Sequence, residues 1–143
     1  MATNLNNRAV TLILPNAIGH ERIAMASLAS FAKMHGYSTA RIEDLKTVVA
    51  EAAINAMEHG NKGQPDAVVN IMFYYGDNAI QIMVTDQGAG IKEDLPPPDI
   101  EKIVKEIHPP VGFGVYLIRQ LADEVEFNKD VASGHCLRMV INK

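Results

Sequence analysis

Glu51-Ala52-Ala53-Ile54-Asn55-Ala56-Met57-Glu58-His59-Gly60 is the stretch on which the reading of this chain turns. Upstream and within it, Ile42, Leu45, Val49, Ala53 and Ala56 recur at three-to-four spacing, the period of a helix with one apolar stripe. Thr39 stands where an N-cap hydroxyl would satisfy a free N–H, and the helix should stop near Gly60. Beside the stripe, Glu51, Asn55 and His59 follow one another four apart, which at roughly 100° per residue makes a polar ridge. A solvated face accounts for that spacing as well as a site does. Asn55 nevertheless asks for a reason, because asparagine in mid-helix costs a few tenths of a kcal/mol against alanine.

Outward from this helix, residues 8–14 read as a strand ending at Pro15, and residues 17–35 as an Ala-, Leu- and Met-rich helix ending before Gly36. Ile23, Leu28, Phe31 and Met34 of that helix are assigned to the core, with a dimer surface as the alternative. Residues 68–75 and 79–86 form a hairpin around Gly76-Asp77-Asn78, residues that tolerate the positive φ of a tight connection. In the second strand Ile80, Ile82 and Val84 share one face and Gln81, Met83 and Thr85 the other, so both faces are expected to be partly covered. Glycines and prolines then break the pattern from 87 to 111, leaving a long loop with room for one short helix over 99–107. Gly112-Phe113-Gly114 opens a further helix, and strands are expected over 125–128 and 136–141. This order predicts an α+β fold, a two-layer sandwich with helices packed on one face of a mostly antiparallel sheet.

The 143 residues suit one domain, 1–143, and 48% hydrophobic with 21% charged residues supplies a real core. No apolar run approaches the ~18 residues of a membrane span, and the first residues lack the pattern of a secretory signal, so a cytoplasmic protein without membrane association is expected. Cys136 is the only cysteine, which excludes an internal disulfide and a cysteine-rich zinc site. Thirteen Lys+Arg against 17 Asp+Glu, net charge −4, argue against direct nucleic-acid binding and for protein or small-molecule partners.

Three clusters carry chemistry: the ridge Glu51-x-x-x-Asn55-x-x-x-His59, the element Asp86-Gln87-Gly88-Ala89-Gly90 after a strand, and Gly112-Phe113-Gly114 at a helix start. The second would serve equally as a plain turn or as a carboxylate and close backbone facing a flat ring. The third offers free N–H groups and a positive dipole end to phosphate oxygens, a weak signal alone. There is no Gly-x-x-x-x-Gly-Lys-Ser/Thr loop and no strict dinucleotide glycine fingerprint.

In this order and spacing the clusters resemble the N, G1 and G2 boxes of the GHKL, or Bergerat-fold, ATPases. Together with Gly114-Val115-Tyr116-Leu117-Ile118 and Asp123-Glu124-Val125, the wording is similar to the anti-sigma-factor serine kinases of bacterial partner switching. The resemblance spans residues 8 to 141 and implies the mixed sheet of that fold, bound ATP and Mg²⁺, and an ATP lid at about 91–111. It implies that Asn55 ligates the Mg²⁺ of ATP and that Asp86 accepts from the adenine amino group, favouring ATP over GTP. Gly88, Gly90, Gly112, Phe113 and Gly114 would complete the nucleotide site, and Glu51 would be the catalytic residue, orienting or deprotonating the acceptor hydroxyl. The implied function is an ATP-dependent serine/threonine-protein kinase and anti-sigma factor, a homodimer that binds a sigma factor and phosphorylates an anti-anti-sigma protein of STAS type. The alternatives are a nucleotide-sensing module of the same fold without kinase activity, or a switch kinase that activates a phosphatase. His59 is better explained by packing at a helix end, and Lys62 by a solvated loop charge. This chain departs from the branch in Glu106-Ile107-His108-Pro109-Pro110-Val111, where a basic residue often precedes the glycine box. It departs again in Gly134-His135, where relatives commonly have Gly-Thr.

Overall fold

The computed structural model describes residues 8–88, 113–131 and 134–143. Strand β1 (Val10–Pro15) leads into helices α1 (Glu21–Met34) and α2 (Thr39–Asn55), the latter continued by a single π-turn, Ala56–Gly60. After these come β2 (Val68–Gly76), β3 (Ala79–Asp86), helix α3 (Phe113–Leu121), β4 (Glu124–Val131) and β5 (Gly134–Asn142). The strands form one sheet in the order β1-β2-β3-β5-β4. Every pairing among the described residues is antiparallel, so no parallel pair makes this sheet a mixed one.

The expected helix over 17–35 begins only at Glu21, because residues 16–20 form turns closed by Ala17 N–H to Pro15 O and His20 N–H to Ala17 O. Ser38, one residue before the expected Thr39, caps α2, its Oγ accepting from Arg41 N–H at 3.2 Å. The β2–β3 hairpin closes through Asp77 and Asn78, both at positive φ, the geometry whose twist suits adjoining strands.

Ile80, Ile82 and Val84 of β3 are buried, whereas Gln81, Met83 and Thr85 on the other face are half-buried. The α2 stripe is buried at Leu45, Val49, Ala53 and Ala56, with Val48 and Ala52 added. In α1 the buried line is Ala24, Leu28 and Ala32, which leaves Ile23 and Met34 exposed at 49% and 78%, against their assignment to the core. The small side chains at 24 and 32 let the helix approach its neighbours closely and turn the larger residues outward. Arg41 ties the start of α2 to the end of α3, donating to Leu121 O at 3.3 Å and pairing with Asp123 at 2.6 Å. The opposite ends of the same two helices carry the site.

Candidate nucleotide site

Where α3 starts, Gly114 lies directly against α2. A Cβ added at Gly114 would stand 2.6 Å from Glu51 Oε2 and 2.9 Å from Asn55 Nδ2, so no larger residue fits without displacing both side chains. Asn55 keeps its buried Nδ2 without a hydrogen-bond partner among the described residues. Glu51 is half-buried, and burial first, then the charge of Glu58, pushes its carboxyl above the ordinary range. Phe113 occupies the first position of α3, its ring stacked 6.4 Å from Tyr116. The first N–H groups of such a helix have no partner within it and sit at its positive end, next to Glu51 and Asn55.

The polar ridge stops at Asn55. Asn61 N–H reaches back to Ala56 O at 2.7 Å and Gly63 N–H to Met57 O at 2.9 Å, spans too long for an α-helix, and the widened turn carries His59 off the line of Glu51 and Asn55. His59 is exposed and 3.9 Å from the Glu58 carboxylate. The same turn delivers Gly60 to the end of β3, where a Cβ would overlap the Asp86 carboxylate.

Asp86 is 2% exposed. Burial raises its carboxyl, against the N–H of Gly88, which donates to Oδ1 at 2.9 Å, and the nearby His135. Gly88 packs so closely on Gly60 that a Cβ there would overlap the Gly60 carbonyl oxygen. A cavity of about 240 Å³ opens beside this contact, lined by Gly60, Asn61, Lys62, Gln64, Gln87 and Gly88. Lys62 is exposed at its rim.

Several residues that shape this end were absent from the sequence reading. Buried Asn61 accepts from Gln87 N–H at 2.7 Å and donates to Val68 O at 2.9 Å and Asn16 Oδ1 at 3.2 Å. Asn16 in turn donates to Gln64 O at 2.9 Å, and Gln87 Oε1 accepts from Val68 N–H at 3.0 Å. This hub pins the π-turn to the ends of β1, β2 and β3. Its only sequence signal is a set of amides at element ends, which turns use everywhere. Gly60 and Gly134 are contact glycines, the latter at φ +146° against the Asp86 carbonyl, and neither was singled out for the site.

Glu51, Asn55, Phe113 and Gly114 thus gather at one end, and Asp86 and Gly88 at the other, joined by the π-turn. Gly90, Gly112 and the lid at 91–111 lie outside the described residues. Among the described residues no three His, Cys, Asp or Glu side chains cluster as a metal cage. The donor set instead fits a hard cation that brings most of its ligands as phosphate oxygens and water and takes an amide oxygen from Asn55. Among the described residues, no helix is long and apolar enough to cross a membrane.

Comparison with known proteins identifies the family. The profile of the histidine kinase-like ATPase domain matches residues 14–141. The serine-protein kinase RsbW of Oceanobacillus iheyensis is 35% identical over 117 residues, covering 74% of this chain and 70% of the relative. A chain of the SiaB–SiaC complex from Pseudomonas aeruginosa shares the fold at TM-score 0.70 and 12% identity, covering 96% of this chain and 92% of that one. A Mycobacterium tuberculosis chain with RsbU and RsbW domains does so at TM-score 0.61 and 17% identity, covering 94% of this chain, which spans only 31% of that longer one. The chain therefore belongs to the histidine kinase-like ATPase domain family and, within it, to the serine-protein kinases of the RsbW type.

Proposed function

We propose that this protein is an anti-sigma factor and kinase that binds ATP with Mg²⁺ between α2, α3 and the end of β3. It transfers the γ-phosphoryl group to a serine or threonine of a small STAS-type antagonist, and that transfer determines whether it holds the antagonist or a sigma factor. The observation that carries this is the approach of Gly114 to Glu51 and Asn55, which sets a helix N-terminus, an amide and a carboxylate around one point.

Asn55 offers its side-chain oxygen to the cation, and the first turn of α3 offers N–H groups to the phosphates. Bound Mg²⁺ would neutralise charge on the β- and γ-phosphate oxygens. Glu51 orients the acceptor hydroxyl and takes its proton as that oxygen bonds to the γ-phosphorus and the bond to the departing ADP oxygen breaks. Its raised pKa improves it as a base while leaving it ionised once the pH exceeds that value. At the other end Asp86 accepts from the exocyclic amino group of adenine, and Gly88 allows the backbone near the ring. Transfer to the antagonist adds about −1.5 to −2 charge at its interface, enough to drive it off and free the kinase for its other partner.

The test is incubation with Mg-ATP and a STAS-type antagonist, read by intact mass spectrometry. One added phosphoryl group is expected, with Glu51→Ala slowing its appearance by about 10²–10⁴-fold while ATP affinity is retained. Tight ATP binding with no transfer by the native protein would instead assign a nucleotide-sensing module. Equal activity in Glu51→Ala would remove Glu51 from the chemistry.

A further inference from the structure

The cavity beside the Gly60–Gly88 contact takes no part in the site proposed for ATP: its walls are Gly60, Asn61, Lys62, Gln64, Gln87 and Gly88, without Glu51, Asn55, Asp86 or Gly114. The amide hub spends its acceptors there and keeps donors. Asn61 Oδ1 is taken by Gln87 N–H at 2.7 Å, Gln64 O by Asn16 Nδ2 at 2.9 Å, and Gln87 Oε1 by Val68 N–H at 3.0 Å. That leaves the NH₂ group of Gln87 without a partner among the described residues, and Lys62 there has neither an ion pair nor a side-chain hydrogen bond. Lys62 also stands at φ +52°, a left-handed conformation that glycine and asparagine adopt at less cost. On either side of it, Asn61 and Gly63 N–H donate back to Ala56 O and Met57 O, so the end of the π-turn fixes the point from which the lysine leaves. The turn accounts for the φ, but not for a lysine at that position.

We propose that this cavity receives an acidic side chain of a protein partner, whose carboxylate accepts from Lys62 Nζ and from the Gln87 amide. An ammonium beside an amide donor is the complement of a carboxylate, whose ionised oxygens only accept. The volume of about 240 Å³, room for roughly eight waters at about 30 Å³ each, exceeds what a bare ion fills and suits a side chain with part of its backbone. Lys62 is exposed, so the ion pair forms at a rim, where it serves partner choice and register more than raw affinity. On a chain of net charge −4 an acidic partner is repelled by the surface as a whole, and an unpaired cation in a concave site marks where its carboxylate is accepted. This assignment does not rest on where ATP binds.

The test is an NMR titration of the isotope-labelled full chain, with and without saturating Mg-ADP, using glutamate blocked at both ends of its backbone. Saturable shifts are expected in the amide signals of residues 60–64, 87 and 88, in both conditions. Blocked glutamine, the same shape without the charge, should bind about three- to fivefold more weakly, the range of a rim ion pair. Lys62→Asn, which suits the left-handed backbone, should weaken blocked glutamate by the same factor, and Lys62→Arg should restore it. Absence of saturable shifts, equal binding of blocked glutamine, or native affinity in Lys62→Asn overturns the proposal. Acetate or inorganic phosphate bound as tightly as blocked glutamate makes the cavity a site for a free anion and overturns the acidic side chain as its occupant. Shifts that Mg-ADP abolishes place the cavity within the nucleotide site and overturn it as a separate one.

Discussion

At the Glu51 end of the site two helices bring a carboxylate, an amide and a glycine together and leave the Asn55 amide nitrogen without a hydrogen-bond partner among the described residues. At the Asp86 end, the π-turn and the ends of β1, β2, β3 and β5 supply groups that mostly satisfy one another, from the Gly88 N–H on Asp86 to the three-way amide hub of Asn61. One end awaits a ligand to complete its polar contacts, and the other is a wall held mainly by its own backbone contacts and amide hydrogen bonds, with the buried Asp86 carboxylate as its proposed ligand-facing group. Substitutions should therefore damage chemistry at the first, and folding at the second wherever they touch those packed backbone and amide groups.

The sharpest contrast is between two glycines. Gly88→Ala drives a methyl group into the Gly60 backbone, which has no rotamer with which to yield, and should cost about 3 kcal/mol of stability and abolish ATP binding. Gly114→Ala meets only the far ends of Glu51 and Asn55, which can turn aside. It should cost about 1 kcal/mol yet slow transfer by at least ~10²-fold, because both functional groups leave their positions. Urea unfolding of both variants beside the mass-spectrometric transfer assay separates these outcomes, and equal stability in the two would erase the distinction between the ends.

Asp86 tests the same contrast from the side of charge. Its folded pKa lies above the unfolded value of ~3.9, so the folded state holds the proton more tightly. Its contribution to stability is complete below the unfolded value and is lost as pH rises through the folded one, leaving the ionised carboxylate a burden at neutral pH. Asp86→Asn should then unfold at equal or higher urea concentration at pH 7 and lose the difference near pH 3, while ATP affinity falls roughly ten- to a hundredfold. A variant both less stable and normal in affinity would make Asp86 a structural residue.

Asn61→Ala removes the acceptor of the Gln87 N–H and the donor to Val68 O in one step, and about 1–2 kcal/mol of destabilisation is expected from the unfolding midpoint. The effect on ATP should be secondary and in proportion to the fraction unfolded. A selective loss of affinity in a fully folded variant would move the hub from the wall into the binding surface.

The unequal legibility of the two ends in the sequence has the same origin. Glu51 and Asn55 share one helix, and helical periodicity fixes their relation from spacing alone. The apolar stripe of α2 and the alternation of β3 were readable for that reason, and so was the sandwich they build. Asp86 and Gly88 could be picked out as a local element, but Asn16 lies 45 residues from its partner Asn61, and His135 lies 49 residues from its cross-strand partner Asp86, so each pair meets only once the fold has formed. Nothing in a neighbouring residue announces such a meeting. In α1 the chain carried both Ile23 and Ala24, and periodicity could not decide which line faced inward; packing distance did, in favour of the small residues.

His59 is where local spacing misleads, and it offers the smallest and most discriminating test. A regular α-helix would place it one turn below Asn55, in line to meet the nucleotide. The π-turn inserts backbone at that point, sends His59 into solvent beside Glu58 and brings Gly60 round to Asp86 instead. His59→Ala should accordingly shift unfolding by less than ~0.5 kcal/mol, the ordinary range for an exposed side chain. ATP affinity should stay within about twofold of native, well short of the ~1.4 kcal/mol that a tenfold change represents. A tenfold loss would mean that the helix regains α-geometry when nucleotide binds, which would pull Gly60 from Asp86 and dissolve the division between the two ends.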